Sequence, residues 1–301
     1  MKKYIIGIDL GGTNCRFGLV SLKGKIERQF SVPVGKERDH NSIITFLCNG
    51  ISRLQTGKIL GIGIGAPGIV DFDKKMIVSS PHYPYWHNFK LAEKLSKRCK
   101  LPVILDNDAN MIAMGEAWVG AGRGIKNFIM ITIGTGIGGG IVINRKVFHG
   151  DDGFAGEIGH QIIEYNGKKC DCGGKGCWET LVSKDGVKEL AVKSGLGRIS
   201  PKKVSEMATK GNRLARLVWN KFGSYLGVGI VSLVNILGIH TIVIGGGVGR
   251  GWDQFIVETK KEILKRIYKE SAKRLVLKKA KLGDDAGILG SVATVLNRSY
   301  G

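Results

Sequence analysis

The stretch YIIGIDLGGTNCRFGLVSL, Tyr4–Leu22, reads as a buried strand (YIIGID, 4–9), a glycine turn (GGTN, 11–14) and a return strand (FGLVSL, 17–22). Roughly 120 residues later the plan repeats as FIMITIG (128–134), the turn TGIGG and GIVI (140–143). Two hairpins of one design in one chain imply an internal duplication, two similar α/β lobes with a cleft between them. Between and beyond them, KILGIGIG (58–65) is a buried strand ending in Ala66-Pro67-Gly68. PVILDNDAN (102–110) runs from strand into helix, and HTIVIGGG (240–247) is a last buried strand with a helical pattern from about Trp252. The expected division is residues 1–107 for the first lobe, joined by a C-terminal helix over about 287–301, and 108–286 for the second.

A chain of 301 residues with 43% apolar and 7% aromatic content has the composition of a globular protein with a large core. No stretch approaches the about 20 uninterrupted apolar residues of a membrane helix. The opening MKKYIIGIDLGG is broken at once by Asp9 and glycines, unlike a secretory leader. Of six cysteines, Cys15, Cys48 and Cys99 are scattered, so no disulfide framework is expected and the setting is a reducing cytoplasm. The net charge is +21, densest over Lys260–Lys281. There Ile263, Leu264, Ile267 and Tyr268 recur at helical spacing, which makes the lysines the wet side of an amphipathic helix. Tyr268 is the one aromatic residue in the run, short of the interleaved aromatics a single-strand stacking platform requires, so a specific nucleic-acid partner is not expected.

The 46 glycines gather in turns. Two of these, Gly63-Ile-Gly65-Ala-Pro-Gly68 and Gly134-Thr-Gly136-Ile-Gly-Gly139, match a dinucleotide fingerprint but lack the helix that must follow the glycines. What the hairpin turns at 9–13 and 134–138 suit is a backbone anion nest, approached closely because no Cβ obstructs it. Asp9, Gly11, Gly12 and Thr13 in the first hairpin, and Thr132, Gly134, Thr135 and Gly136 in the second, are candidates to hold a nucleotide's phosphates. Gly246 and Gly247, in a third glycine turn that opens a helix, join them. Asp9, at the end of its strand, is placed to orient a hydrated Mg²⁺.

Cys170, Cys172 and Cys177 with His160 upstream supply a full tetrahedral set for Zn²⁺. A closed set leaves no position for water or substrate and therefore implies a structural ion. Glu157 and Glu179 flank this loop, which would set two acceptors suited to sugar hydroxyls. Asp108 stands where a strand gives way to a helix, as a base or equally as a helix cap, a task Asp106 or Asn107 could also perform. Glu116, inside that helix, is expected to be structural, and Asp71 and Asp73 solvated. His82, His87 and His149 have no partner legible from sequence.

IGIDLGGT, NDAN (107–110), TIGTGIGGGI, AGEIGH and CDCGGKGCWE stand in the order of the ROK family of sugar kinases and repressors, which residues 5 to about 249 resemble, most of all its ATP-dependent glucokinase branch. The resemblance implies an actin/hexokinase-like (ribonuclease H-like) two-lobe α/β fold with an interlobe cleft, and ATP, Mg²⁺ and a hexose as ligands. It implies Asp108 as the base that activates the sugar 6-hydroxyl, with Gly65, Asn107, Glu157, His160 and Glu179 contacting the sugar. His160 would serve zinc and sugar together. Fructose, mannose and N-acetylmannosamine are alternative substrates, and polyphosphate an alternative donor. A sugar-responsive repressor would need a helix-turn-helix before the first glycine turn, and only eight residues precede Asp9. Relatives are often dimers or tetramers, so a homo-oligomer is expected. His82 departs from the asparagine common there.

Overall fold

The computed structural model describes residues 2–36 and 39–300, the side chains of 298–300 excepted. Strands β1 (Lys3–Leu10), β2 (Asn14–Ser21) and β3 (Ile26–Pro33) form an antiparallel meander. After α1 (His40–Ser52), β4 (Lys58–Ala66) returns parallel to β1. A small antiparallel sheet of β5 (Ile69–Asp71), β6 (Met76–Ser79) and β7 (His87–Phe89) follows, then α2 (Leu91–Cys99), β8 (Val103–Asn107) parallel to β4, and α3 (Asp108–Val119). The plan then recurs with β9 (Phe128–Ile133), β10 (Ile137–Ile143) and β11 (Lys146–Val147). A segment of turns carries the cysteine loop to α4 (Lys184–Lys193), α5 (Pro201–Thr209) and α6 (Arg213–Leu237). The chain ends through β12 (Thr241–Gly245), α7 (Gly246–Gly249), α8 (Trp252–Arg266), α9 (Lys269–Ala272), β13 (Val276–Lys279) and α10 (Ala286–Tyr300).

The sheet orders are β3-β2-β1-β4-β8 and β11-β10-β9-β12-β13. In each, the hairpin strand that begins the repeat is antiparallel to its turn partner and parallel to the strand on its other side. The duplication read from two glycine hairpins is thus present in the topology. One compact unit comprises residues 1–126, 140–156 and 281–301, the other 127–139 and 157–280. The expected junction at residue 107 falls inside the first unit, because α3 packs on α10 and β4. Gly140 explains the return of 140–156: a Cβ there would lie 2.6 Å from that of Ala113 on α3, so strand and helix touch.

Within the first unit, α10 lies on the β1–β4 face. A Cβ at Gly63 would come 2.0 Å from the Ser291 carbonyl, so glycine sets the closeness of helix to sheet. Ser291 Oγ donates to the Ile8 carbonyl at 3.0 Å. Burying Ile5, Val20, Ile288 and Val292 there contributes about 1.5–3 kcal/mol per side chain. Glu116, wholly buried, accepts the N–H groups of Ala121, Lys281 and Leu282 at 2.6–2.9 Å, a structural carboxylate as expected. In the second unit α6 is long and apolar enough by length and composition to cross a membrane, but 61% of that window is buried, in part against α8.

Three expectations change. The basic run does not continue as one helix: α8 stops at Arg266, Ile267 turns extended, and the chain forms β13 parallel to β12. Ile263 and Ile267 are buried as expected, while Leu264 and Tyr268 are exposed. Cys48 and Cys99 are not scattered in space; their sulfurs lie 3.6 Å apart, and burial pushes the Cys99 thiol up to about 12. Asp71 is buried and paired with Lys74 Nζ at 2.8 Å, which holds its carboxyl below the usual range.

Candidate active site

In the first unit, β1 carries Asp9 into the turn, which closes through the Gly11 N–H to the Asn14 carbonyl at 3.0 Å. Arg16, opposite Asp9 across β1 and β2, reaches its Oδ2 at 3.3 Å. Burial raises the Asp9 carboxyl above its ordinary range, and the Arg16 guanidinium opposes that shift. The hydroxyl of Tyr83 donates to the Gly11 carbonyl at 2.9 Å, and the Thr13 carbonyl accepts the Val34 N–H at 2.8 Å. A Cβ at Gly12 would come 2.9 Å from the His82 ring, so His82 lies on this turn.

The junction of β8 and α3 resolves the ambiguity over the cap. Asn107 is the cap: its Oδ1 accepts the N–H groups of Ala109 at 2.8 Å and Asn110 at 3.3 Å, and its Nδ2 donates to the Gly68 carbonyl. Asp108 is the first helical residue, half-buried, with Oδ1 accepting the Ala109 N–H at 2.8 Å. It stands against Gly65, where an added Cβ would be 3.4 Å from the Asp108 Cα. Asp108 and Gly65 are therefore neighbours.

In the second unit the β9–β10 turn closes with the Gly134 N–H on the Gly136 carbonyl at 2.9 Å, and Thr132 Oγ1 donates to the Gly138 carbonyl at 3.3 Å. Glu179 joins this turn: its Oε2 accepts the Ile137 N–H at 2.8 Å, and a Cβ at Gly136 would strike that oxygen at 2.1 Å. Sequence pattern placed Glu179 with the sugar alone; half of its carboxylate is already used by the glycine turn. Thr135 lies in the same turn, between Gly134 and Gly136. Gly246 has φ +85° and sits against the Ile133 carbonyl, which brings α7 to the end of β9, while nothing crowds Gly247.

His160, Cys170, Cys172 and Cys177 place their donor atoms within 4.8 Å of one another. Cys172 and Cys177 sulfurs are 3.6 Å apart, and Cys170 Sγ is 3.7 Å from His160 Nδ1. A tetrahedron with metal–sulfur bonds near 2.3 Å has edges of about 3.8 Å, so the donors fit a four-coordinate ion closed to substrate. Gly176, at φ +72°, lies where a Cβ would collide with the Glu164 carbonyl, which is how the loop turns between ligands. His160 Nε2 faces Glu157 Oε2 at 3.8 Å. Partial burial raises the Glu157 carboxyl; His160 lowers it and Glu179 raises it further, so these three groups form one electrostatic cluster.

The reading from sequence missed the partner of His149. Its Nε2 is 2.8 Å from Asp106 Oδ2, across 43 residues of chain, with no local pattern to announce it.

The ROK family pattern matches residues 5–298, and the chain belongs to the ROK family. It has the actin-like fold of the ROK hexokinases and sugar kinases. A glucokinase of Halalkalibacterium halodurans is 35% identical, over 96% of this chain and 93% of the relative. A ROK family glucokinase from Streptomyces griseus, solved with glucose and AMPPNP, superposes with a TM-score of 0.82 at 31% identity over 97% of this chain and 98% of that one. A xylose repressor of Caldicellulosiruptor bescii is 31% identical over 97% of this chain and 78% of its own length.

Proposed function

We propose that the protein is an ATP-dependent hexose kinase, glucokinase-like, which transfers the γ-phosphoryl group to the sugar 6-hydroxyl. The observation that carries this reading is Asp108, a half-buried carboxylate at a helix start whose capping is done by Asn107. In the step, Asp108 accepts the hydroxyl proton as the sugar oxygen attacks phosphorus in line, and the bond from phosphorus to the departing ADP oxygen breaks. Gly65, Asn107, Glu157, His160 and Glu179 orient the sugar. The hairpin groups Asp9, Gly11, Gly12, Thr13, Thr132, Gly134, Thr135 and Gly136, with Gly246 and Gly247, take the nucleotide. Mg²⁺ bound with ATP supplies neutralisation of the phosphate charge, and Asp9 would orient its water shell. His160, Cys170, Cys172 and Cys177 hold a structural Zn²⁺, a role supported by their donor atoms lying within 4.8 Å of one another. The free thiols suit a reducing cytoplasm, and family resemblance supports a homo-oligomer.

The experiment is a coupled assay of ADP release over glucose, fructose, mannose and N-acetylmannosamine, with polyphosphate as an alternative donor. Turnover on glucose above the others supports the reading. Binding of a sugar such as xylose with no turnover on any member of the panel overturns it in favour of a sugar-responsive regulator.

A further inference from the structure

Asp106, 1% exposed, lies two residues before Asp108. Its Oδ1 accepts the Asn107 N–H at 2.7 Å and Asn110 Nδ2 at 3.0 Å, while Oδ2 meets His149 Nε2 at 2.8 Å. A buried carboxylate with three donors is satisfied; with one removed it keeps a buried oxygen whose desolvation is uncompensated. The His149 ring stacks on Phe72, centroids 4.3 Å apart at 13°. The His149 carbonyl accepts the Ala155 N–H at 3.0 Å, closing a loop with positive φ at Gly150, Asp152 and Gly153. Lys74 pins that loop by reaching Asp71 at 2.8 Å and Asp152 at 3.3 Å. The pinned segment ends at Gly156, one residue before Glu157.

We propose that Asp106 and His149 form a positioning pair for Asp108, an inference that rests on reading Asp108 as the base. The direction of the Asp108 carboxylate is set by the strand-to-helix junction. Asp106 fixes that junction at the Asn107 peptide and at Asn110 in the first helical turn. His149 completes the carboxylate's hydrogen bonds and fastens the segment that leads to Glu157. One hydrogen bond therefore ties the helix bearing the base to the chain feeding a sugar-binding carboxylate. A displacement of the base by a fraction of an ångström lowers turnover without touching nucleotide affinity.

The test compares His149→Phe, which keeps the stack on Phe72 and removes the donor, with His149→Gln, which restores an N–H donor. His149→Phe is expected to lose about tenfold or more in kcat, with KM for ATP within about twofold of wild type, and His149→Gln to recover most of the loss. Wild-type kcat in His149→Phe, or equal losses in both variants that track their melting temperatures, overturns the proposal. Independently of any turnover, the His149 ring N–H is expected to exchange slowly with water in proton NMR of the wild type and quickly in Asp106→Asn. Equal exchange in the two proteins overturns the pair even where the sugar assay succeeds. Failure of the sugar panel with slow exchange intact overturns the kinase reading instead.

Discussion

Glu179 Oε2 accepts the backbone N–H of Ile137 at 2.8 Å, which joins the end of the cysteine loop to the β9–β10 glycine turn. Cys177 stands two residues before Glu179, so one short segment carries a proposed zinc donor and a brace for the turn. Groups proposed for metal, sugar and phosphate are consequently mechanically linked inside the second unit.

Glu179→Ala should therefore weaken both substrates. Removing the acceptor leaves the Ile137 N–H unsatisfied, at a cost of about 1–3 kcal/mol. KM for ATP should rise together with KM for sugar, whereas Glu179→Gln, whose amide oxygen still accepts, should spare ATP. A rise in sugar KM alone in the alanine variant would show the brace to be idle.

Asp108→Asn should lower kcat by about a hundredfold or more, the share of a general base, with fold and metal content intact because Asn107 retains the cap. Asn107→Ala should act differently, costing about 1 kcal/mol of helix stability as well as sugar affinity. Single-turnover phosphoryl transfer and thermal melts separate the two outcomes.

Freshly purified reduced protein should contain about one zinc per chain by metal analysis, from the donor count. Cys172→Ser should lower melting temperature and sugar affinity together, since metal binding energy is folding energy in such loops. Unchanged sugar affinity in a destabilised variant would break that link.

Asp71 contributes a pH-dependent term. Its carboxyl is held below the ordinary value by the hydrogen bonds and charge of Lys74. A depressed folded-state value stabilises above the unfolded value, about 3.9, and the gain is lost as pH falls through the lower folded value. Asp71→Asn should shift the urea midpoint downward at pH 7, and the gap from wild type should shrink towards pH 3. A gap that stays constant over this range would exclude the ion pair as its source.

Local chemistry was legible in the residues themselves. Alternation and glycine position announced both hairpins, because a strand's period and a turn's need for missing Cβ atoms act within a few residues. The spacing of Cys170, Cys172 and Cys177 announced, for the same reason, a cluster of donor atoms, which with that of His160 lie within 4.8 Å of one another. Asn107 against Asp108 as the cap was not decided locally, since both side chains can accept helix N–H groups; the Gly68 carbonyl, 39 residues away, holds Asn107 in that role. The end of α8 at Arg266 was likewise hidden, because pairing of β13 with β12 overrides an unbroken helical pattern. Asp106 with His149, Glu179 with Ile137, and Cys48 with Cys99 depend on contacts spanning tens of residues, which only the packed chain brings within hydrogen-bonding or van der Waals reach.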